Sequence, residues 1–337
     1  MRKVIKEFKY NKHQSKAQKL ATHIQKLYKK PSTSTSKTKN KSKTSRKSTS
    51  RKSTSSKSKT SRKSTSKFII NKINYIIAIP SFKRPEIIQT HTLAVLKRHN
   101  INPKCITIFV ANQEEYDIYK ESVPSYLYHN IIIGVIGLKN QRNFISSYYP
   151  EGKNIVEMDD DIKNIMQLFI NKTTSKTTSK KEYKNSVKPI EDLDAFIINA
   201  FNMCIEKNIY LWGVYPLVNP YFMSTKITTD LRFIVGPMWG MINRHRNDLK
   251  LTVDEKENSE RTLQFWVADG AVLRFNNIGI ETKYYKNKGG MQSEGKNRKV
   301  EALKSVNYLH KIYPNLTKIS LTKKSGMPEI KMVRKKE

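Results

Sequence analysis

The sequence predicts an α/β fold: a mostly parallel sheet flanked by helices, preceded by a disordered basic tail. Three observations carry that expectation. Continuous apolar runs of strand length recur at residues 75–80, 105–110, 130–136 and 153–158. Segments with helical spacing lie between them, which is the pattern of βαβ units whose parallel strands are buried on both faces. The runs at 75–80 and 153–158 end in polar clusters, Pro80–Pro85 and Asp159–Asp161, and in such sheets ligands collect beyond the carboxyl ends of the strands.

In chain order, residues 1–30 show weak helical periodicity (Val4, Ile5, Phe8, then Leu20, Ile24, Leu27, Tyr28) among lysines, the spacing of one or two basic amphipathic helices. Residues 32–67 are almost entirely Ser, Thr, Lys and Arg and contain KSKTSRKSTS twice, at 41–50 and 57–66. With no apolar surface to bury, 1–67 is set apart as a solvated polycationic tail. The folded body spans 68–325. Tyr75–Pro80 is a buried strand stopped by proline, Glu86–His99 a helix through Ile87, Ile88, Leu93 and Leu96, Cys105–Val110 a second strand and Glu114–Glu121 a short helix. Asn130–Ile136 is a third strand ending at Gly137, Asn140–Tyr149 a helix and Lys153–Met158 a fourth strand. Residues 171–186 (NKTTSKTTSKKEYKNS) form a low-complexity insert, expected as a mobile loop. A helix at 190–206 and irregular strands at Tyr210–Val218 and Leu231–Met241 follow. Then come an acidic stretch at 254–260, an amphipathic segment Arg261–Trp266, short strands at Val272–Phe275 and Thr282–Tyr285, and a helix Val300–Tyr313. Residues 326–337 form a basic C-terminal tail.

Charge narrows the class of partner. Residues 1–67 hold 23 Lys and Arg against one acid, Glu7, a net of +22, and the other 270 residues hold 41 against 27, a net of +14. That excess points to a polyanion, nucleic acid first and an anionic membrane surface second; a lysine-rich genome is the bland alternative. Cys105 and Cys204 sit in apolar runs, as small core residues of a reducing compartment do, and no disulfide framework or thiolate metal site is in view. No apolar stretch approaches the roughly 18–20 residues that cross a bilayer, and the lysine-rich start lacks the apolar core of a signal peptide. A soluble, intracellular protein is expected, with its oligomeric state left open.

The chemistry is concentrated in three motifs. In Ile79-Pro80-Ser81-Phe82-Lys83-Arg84-Pro85 a strand delivers a hydroxyl, a cation and a guanidinium to the mouth of a crevice; Lys83 and Arg84 could face a diphosphate there, or the segment is an ordinary basic turn. In Gly137-Leu138-Lys139-Asn140-Gln141-Arg142-Asn143-Phe144 a glycine opens a helix beside Arg142. That makes a natural anion site, unless Asn140 is merely an N-cap and Arg142 a surface residue. Asp159-Asp160-Asp161 ends a buried strand, where so much negative charge needs a cation; oxygen-only ligands favour Mg²⁺ or Mn²⁺. The D-x-D spacing of Asp159 and Asp161 suits one ion held against a diphosphate, and a solvated loop is the alternative. Trp212, Trp239 and Trp266 are read as core. His245 and His310 are lone histidines that could complete a metal shell but need not. Gly289-Gly290, flanked by Tyr284, Tyr285, Lys286 and Lys288, permits close approach of backbone to a ligand.

In that order these motifs resemble the GT-A-fold (Rossmann-like) glycosyltransferases that use nucleoside-diphosphate sugars and a D-x-D metal motif. The body, from about Tyr75 to Tyr313, is most similar to the TET/JBP-associated glycosyltransferases, relatives of the base J glucosyltransferase encoded largely by phages and large DNA viruses. The narrower likeness rests on IPSFKRP, GLKNQRNF, EMDDDI, ERTLQF, DGAVLRFN and TKYYKNKGG. The resemblance implies a transferase moving a sugar, from a UDP-sugar in the first instance, to a hydroxyl acceptor such as a hydroxymethylated base in DNA, with Mn²⁺ or Mg²⁺ as cofactor. If the source is viral, the cytoplasm, viral factory or virion is its setting. Asp159 and Asp161 would then hold the metal and Asp160 would contact ribose or sugar. Pro80, Ser81, Lys83, Arg84 and Arg142 would border the donor. A second carboxylate, Glu257 or Glu260, would serve as base if the reaction inverts; family members often carry an acidic pair here, and its second position is Asn258 in this chain. A protein or glycan acceptor, and a non-catalytic nucleic-acid binder on a transferase fold, remain the competing expectations.

Overall fold

The apolar runs form strands because both of their faces are covered. In β1 (Tyr75–Pro80), Tyr75, Ile77 and Ile79 enter one hydrophobic cluster and Ala78 the other, so no position is left for a polar side chain. The computed structural model describes residues 74–174, 181–282, 289–290, 297–321 and 326–333. The tail 1–67 with its expected helices, and Tyr284, Tyr285, Lys286 and Lys288, lie outside them.

β1 pairs in parallel with β2 (Ile106–Val110) and β4 (Asn154–Met158), with Ile77 level with Ile106 on one side and Val156 on the other. β2 pairs in parallel with β3 (Asn130–Ile133). Beyond β4 the sheet continues through β9 (Met238–Ile242), β7 (Leu211–Tyr215), β10 (Leu273–Thr282), β5 (Ile162–Thr174) and β6 (Lys181–Pro189), giving the order β3-β2-β1-β4-β9-β7-β10-β5-β6, with β8 (Ile227–Thr228) beside β10. Of these ten strands, β9, β5 and β8 oppose the other seven. The mostly parallel sheet expected from the sequence is therefore present, with antiparallel members inserted in its second half.

Helices cover both faces. One face packs α1 (residues 85–98), α2 (Gln113–Ser122) and α4 (Leu193–Lys207), which contribute Ile88, Leu96, Tyr119, Ile197 and Phe201. The other packs α3 (Leu138–Tyr148) and α5 (Glu257–Asp269), through Ile145 and Phe265. α1 is composite: Pro85–Ile88 and Ala94–Arg98 are α-helical, and Gln89–Leu93 between them is a π-helical turn. α6 (Arg298–Ile312) and the hairpin of β11 (Thr317–Ser320) and β12 (Glu329–Met332) pack on the segment before α5 through Val253, Val306, Leu309 and Ile330.

Three elements differ from expectation. The insert 171–186 is largely a ribbon: Asn171–Thr174 pairs with Lys181–Lys184, extending β5 and β6. Its Thr-rich composition resembles a linker, yet threonine is also a strand former. The short strand expected at Val272–Phe275 begins at Leu273 and runs on as a single strand to Thr282, with the polar Asn276-Asn277 at an interruption in its pairing with β7. Glu329–Met332, assigned to the C-terminal tail, is a strand with Ile330 buried.

Candidate active site

The carboxyl ends of β1 and β4 open on a crevice of about 970 Å³ including its mouth. Its lining includes Pro80, Ser81, Arg84, Gly137, Asp159, Asp160, Asp161, Thr282, Gly290 and Arg298. Asp159–Asp161 form the turn between β4 and β5, so all three carboxylates reach the crevice, where a continued strand would have turned the middle one away.

Each aspartate has its own support. Arg142 Nη2 donates to Asp159 Oδ1 at 3.1 Å. Asp160 is 4% exposed, and both its oxygens are held, Oδ1 by Arg84 Nη1 at 2.8 Å and Oδ2 by the Ser81 hydroxyl at 2.6 Å. Burial pushes its carboxyl up to about 6 even with Arg84 beside it. Asp161 accepts from Thr282 Oγ1 at 2.8 Å, and Arg84 lies 3.6 Å from its other oxygen. The turn is also buckled from below. Thr92, fully buried in the π-helical turn, donates to the Asp159 carbonyl at 2.7 Å and accepts from the Ile162 N–H at 3.0 Å. An inserted turn of this kind displaces one side chain from the regular helical course, and here the displaced region supplies that buckle.

The PSFKRP segment is shaped by backbone as much as by charge. Lys83 has φ +55°, uncommon for a residue with a Cβ, and its N–H is held by Glu115 Oε2 at 2.8 Å. Its ammonium lies 5.2 Å from the Phe82 ring centroid, and Lys83 is absent from the crevice lining, contrary to the expectation that it faces the donor. Arg84 is clasped instead: Gly290 N–H donates to the Phe82 carbonyl at 2.9 Å, and Arg84 Nη2 to the Gly289 carbonyl at 3.1 Å. A Cβ on Gly290 (φ +59°) would stand 2.9 Å from the guanidinium carbon, so this position requires glycine.

Behind the aspartates lies a buried charge cluster. Arg142, 3% exposed, pairs with Glu157 at 2.8 Å and reaches the crevice only through Asp159. It is thus a support for the aspartate and does not line the crevice, where the sequence reading had it bordering the donor. Arg261, 2% exposed, stacks 3.5 Å over the Trp239 ring, and Glu257 is buried beside both arginines. Burial drives the Glu157 and Glu257 carboxyls upward despite these guanidiniums. Arg261 Nε and Nη1 and Glu157 Oε1 are buried without a hydrogen-bond partner. Glu260 stands apart: one oxygen accepts from the Thr252 and Val253 N–H groups at 2.8 and 3.0 Å and the other from the Thr252 hydroxyl. Its carboxylate ties down a loop and does not join the crevice.

The acidic stretch before α5 is not a solvated turn. Asp254 lies 3.8 Å from Lys139, Glu255 pairs with Arg298 at 2.7 Å and Lys256 with Glu329 at 3.3 Å, while Glu257 turns inward. Four consecutive charged residues thereby fasten four different parts of the chain. Arg298 and Thr282, both in the crevice lining, went unnoticed in the sequence because nothing local marks them.

Other residues fall elsewhere. His245 contacts the Ser146 and Tyr149 carbonyls, and His310 the Thr317 hydroxyl. Cys105 and Cys204 form no disulfide. Trp212 and Trp239 are buried, as expected of core. Among the described residues no group of three His, Cys, Asp or Glu could hold a metal ion by itself, and no helix is long and apolar enough to cross a membrane.

No protein-family model matches the chain, and no curated protein matches it. Among solved structures, residues 1–349 of S. aureus TarS are similar at TM-score 0.40 and 11% identity, over 62% of this chain and 59% of that one. The same fragment in complex with UDP gives TM-score 0.40 and 10% identity over the same shares. A mycobacterial protein gives 0.37 and 7% over 78% and 84%. The chain thus spans about three fifths of the TarS fragment. At this level of similarity, function has to be read from the geometry of the site itself.

Proposed function

We propose that the crevice binds a nucleoside-diphosphate sugar, UDP-linked in the first instance, and that the protein is a GT-A-type glycosyltransferase moving the sugar to a hydroxyl of a nucleic acid, such as a hydroxymethylated base in DNA. One observation carries the reading. Glu157, Asp159, Asp160, Asp161 and Glu257 gather around Arg84, Arg142 and Arg261, so five carboxyl groups face three guanidiniums, and burial pushes those of Glu157, Asp159, Asp160 and Glu257 upward. Burial at this depth makes that excess of carboxyl groups costly to ionise unless a cation balances it.

The residues fit a Mg²⁺ or Mn²⁺ ion that takes one or two protein carboxylates and completes its shell from substrate phosphate and water. Asp159, whose side chain is 32% exposed, and Asp161 would hold it. When bound, the ion would neutralise charge on the departing nucleoside diphosphate. Arg84 adds positive charge at the same mouth, and Arg142 keeps Asp159 oriented from behind. If the reaction inverts, Glu257 is the remaining candidate base; it lies buried beside Arg142 and Arg261 and outside the crevice lining, so an acceptor would reach it only if that cluster opens. Glu260 is excluded from that role by its bonds to Thr252 and Val253. The basic body and tail support a polyanionic acceptor. A large acceptor base would be presented flipped out or single-stranded.

A panel of nucleotide sugars with Mn²⁺ or Mg²⁺, scored for nucleoside diphosphate release with and without hydroxymethylated DNA, tests the reading. Asp159→Asn and Asp161→Asn should each lower release at least about a hundredfold while the thermal unfolding transition is kept. Unchanged turnover in both variants would remove the metal role, and release that is stimulated by a peptide or glycan but not by DNA would reassign the acceptor.

A further inference from the structure

The body's positive charge is not spread evenly. Residues 297–337 hold 11 Lys and Arg against 3 acids, a net of +8, whereas residues 68–296 hold 30 against 24, a net of +6. More than half of the excess therefore sits in the last 41 residues; among them the described residues of α6 and the β11–β12 hairpin hold Arg298, Lys299, Lys304, Lys311, Lys318 and Lys331 against Glu301 and Glu329, a net of +4. α6 buries Ala302, Ser305, Val306 and Leu309. Its other side exposes Lys299, Lys304 and Lys311 together with Val300, Leu303, Tyr308 and Ile312, the last four 40–46% exposed. At 3.6 residues per turn these positions make up the whole side of the helix that faces away from the core, about 220° of arc, with lysines and apolar residues interleaved and Glu301 among them, ion-paired to Lys304 at 2.8 Å. This side begins at the crevice, because Arg298, the first residue of α6, lines it. At about 1.5 Å per residue the helix is roughly 22 Å long, the length of about six base-pair steps of B-form DNA.

We infer that the exposed side of α6 is the docking face for the phosphodiester backbone of the acceptor nucleic acid, leading the strand to the crevice at Arg298. This rests on the transferase reading above and assigns its acceptor a surface. Lysines along it suit phosphate contact, and the half-exposed Tyr308, Val300 and Leu303 give sugars and bases an apolar surface between them. An anionic bilayer suits this side less well: a membrane-surface helix keeps its cations on one face and its apolar residues on the other, whereas here lysines and apolar residues are interleaved.

The test uses the full chain. A fluorescent 30-base-pair duplex is titrated at several salt concentrations with the wild-type protein, with the Lys299→Gln/Lys304→Gln/Lys311→Gln variant, and with a control variant, Lys104→Gln/Lys120→Gln/Lys207→Gln, which removes the same charge from other exposed sites. At about 0.9 per phosphate contact, the α6 variant should reduce the slope of log K against log salt by about 2 to 3, the control by less than 1, with donor-sugar hydrolysis unaltered in both. Equal slopes in the α6 and control variants overturn the assignment, as does a loss confined to vesicles of phosphatidylserine and phosphatidylcholine with duplex binding intact. A protein that shows the slope change but hydrolyses no nucleotide sugar leaves the face standing and removes the transferase reading; the reverse result does the opposite.

Discussion

At the scale of single residues, the site is governed by which charges are buried and what holds them. Arg142 is the clearest case, since it alone pairs with Glu157 and also fixes Asp159. Arg142→Met should cost about 3–5 kcal/mol of unfolding free energy, because it strands a buried carboxylate; urea unfolding would show it, and a change under about 1 kcal/mol would mean the pair is not buried as described. Glu257 and Glu260, three positions apart, should separate in kcat. Glu260→Gln should lower stability by about 1–3 kcal/mol through loss of charged acceptors for the 252–253 loop, with kcat for transfer little changed at a temperature where the variant is folded. Glu257→Gln should, in an inverting enzyme that uses it as base, lower kcat about a hundredfold or more with donor KM retained, and it should also cost stability because Arg142 and Arg261 lose a buried counter-charge. The aspartates and Arg84 were legible in the sequence because strand, turn and charge follow one another within a few positions. Thr92, Arg261 and Arg298 were not: Thr92 acts on a carbonyl 67 positions away and Arg298 on a carboxylate 43 away, and no local pattern records such a partner.

At the scale of elements, the π-helical turn in α1 matters most. Its Thr92 joins both ends of the aspartate turn, so the helix sets where the carboxylates stand. Thr92→Val keeps the shape and removes both bonds; Thr92→Ser keeps them. The valine variant should raise KM for the donor and the Mn²⁺ concentration for half-activity about tenfold, and the serine variant should restore both. Equal behaviour of the two would show that Thr92 only fills space. Most of the strands and helices were readable from period and apolar length, which is why β1, β2 and β4 lie within a residue of expectation. The misread elements share one trait. In β5, β6 and the middle of β10 the pairing strand satisfies a polar backbone segment that has little apolar content to announce it, as at Asn171↔Lys184 and Thr173↔Glu182.

For the whole molecule, two charge regimes coexist: an interior at the crevice that is short of positive charge and a chain that carries a net +36. If the tail adds sequence-independent phosphate contacts, deleting residues 1–67 should weaken duplex association and flatten its salt dependence while donor-sugar hydrolysis is spared; an unchanged salt slope would assign the tail another purpose. The sheet itself has a further consequence. An open sheet of ten strands offers two unpaired margins, and exposed margins are where one copy of a chain can template onto the next. Here one margin, β3, is only four residues long, and the other, β6, exposes Lys188 and closes on Pro189. Brevity on one side, and a charge plus a missing amide donor on the other, guard the sheet against fibrous self-association, so replacing Lys188 with threonine and Pro189 with valine should make concentrated protein grow turbid.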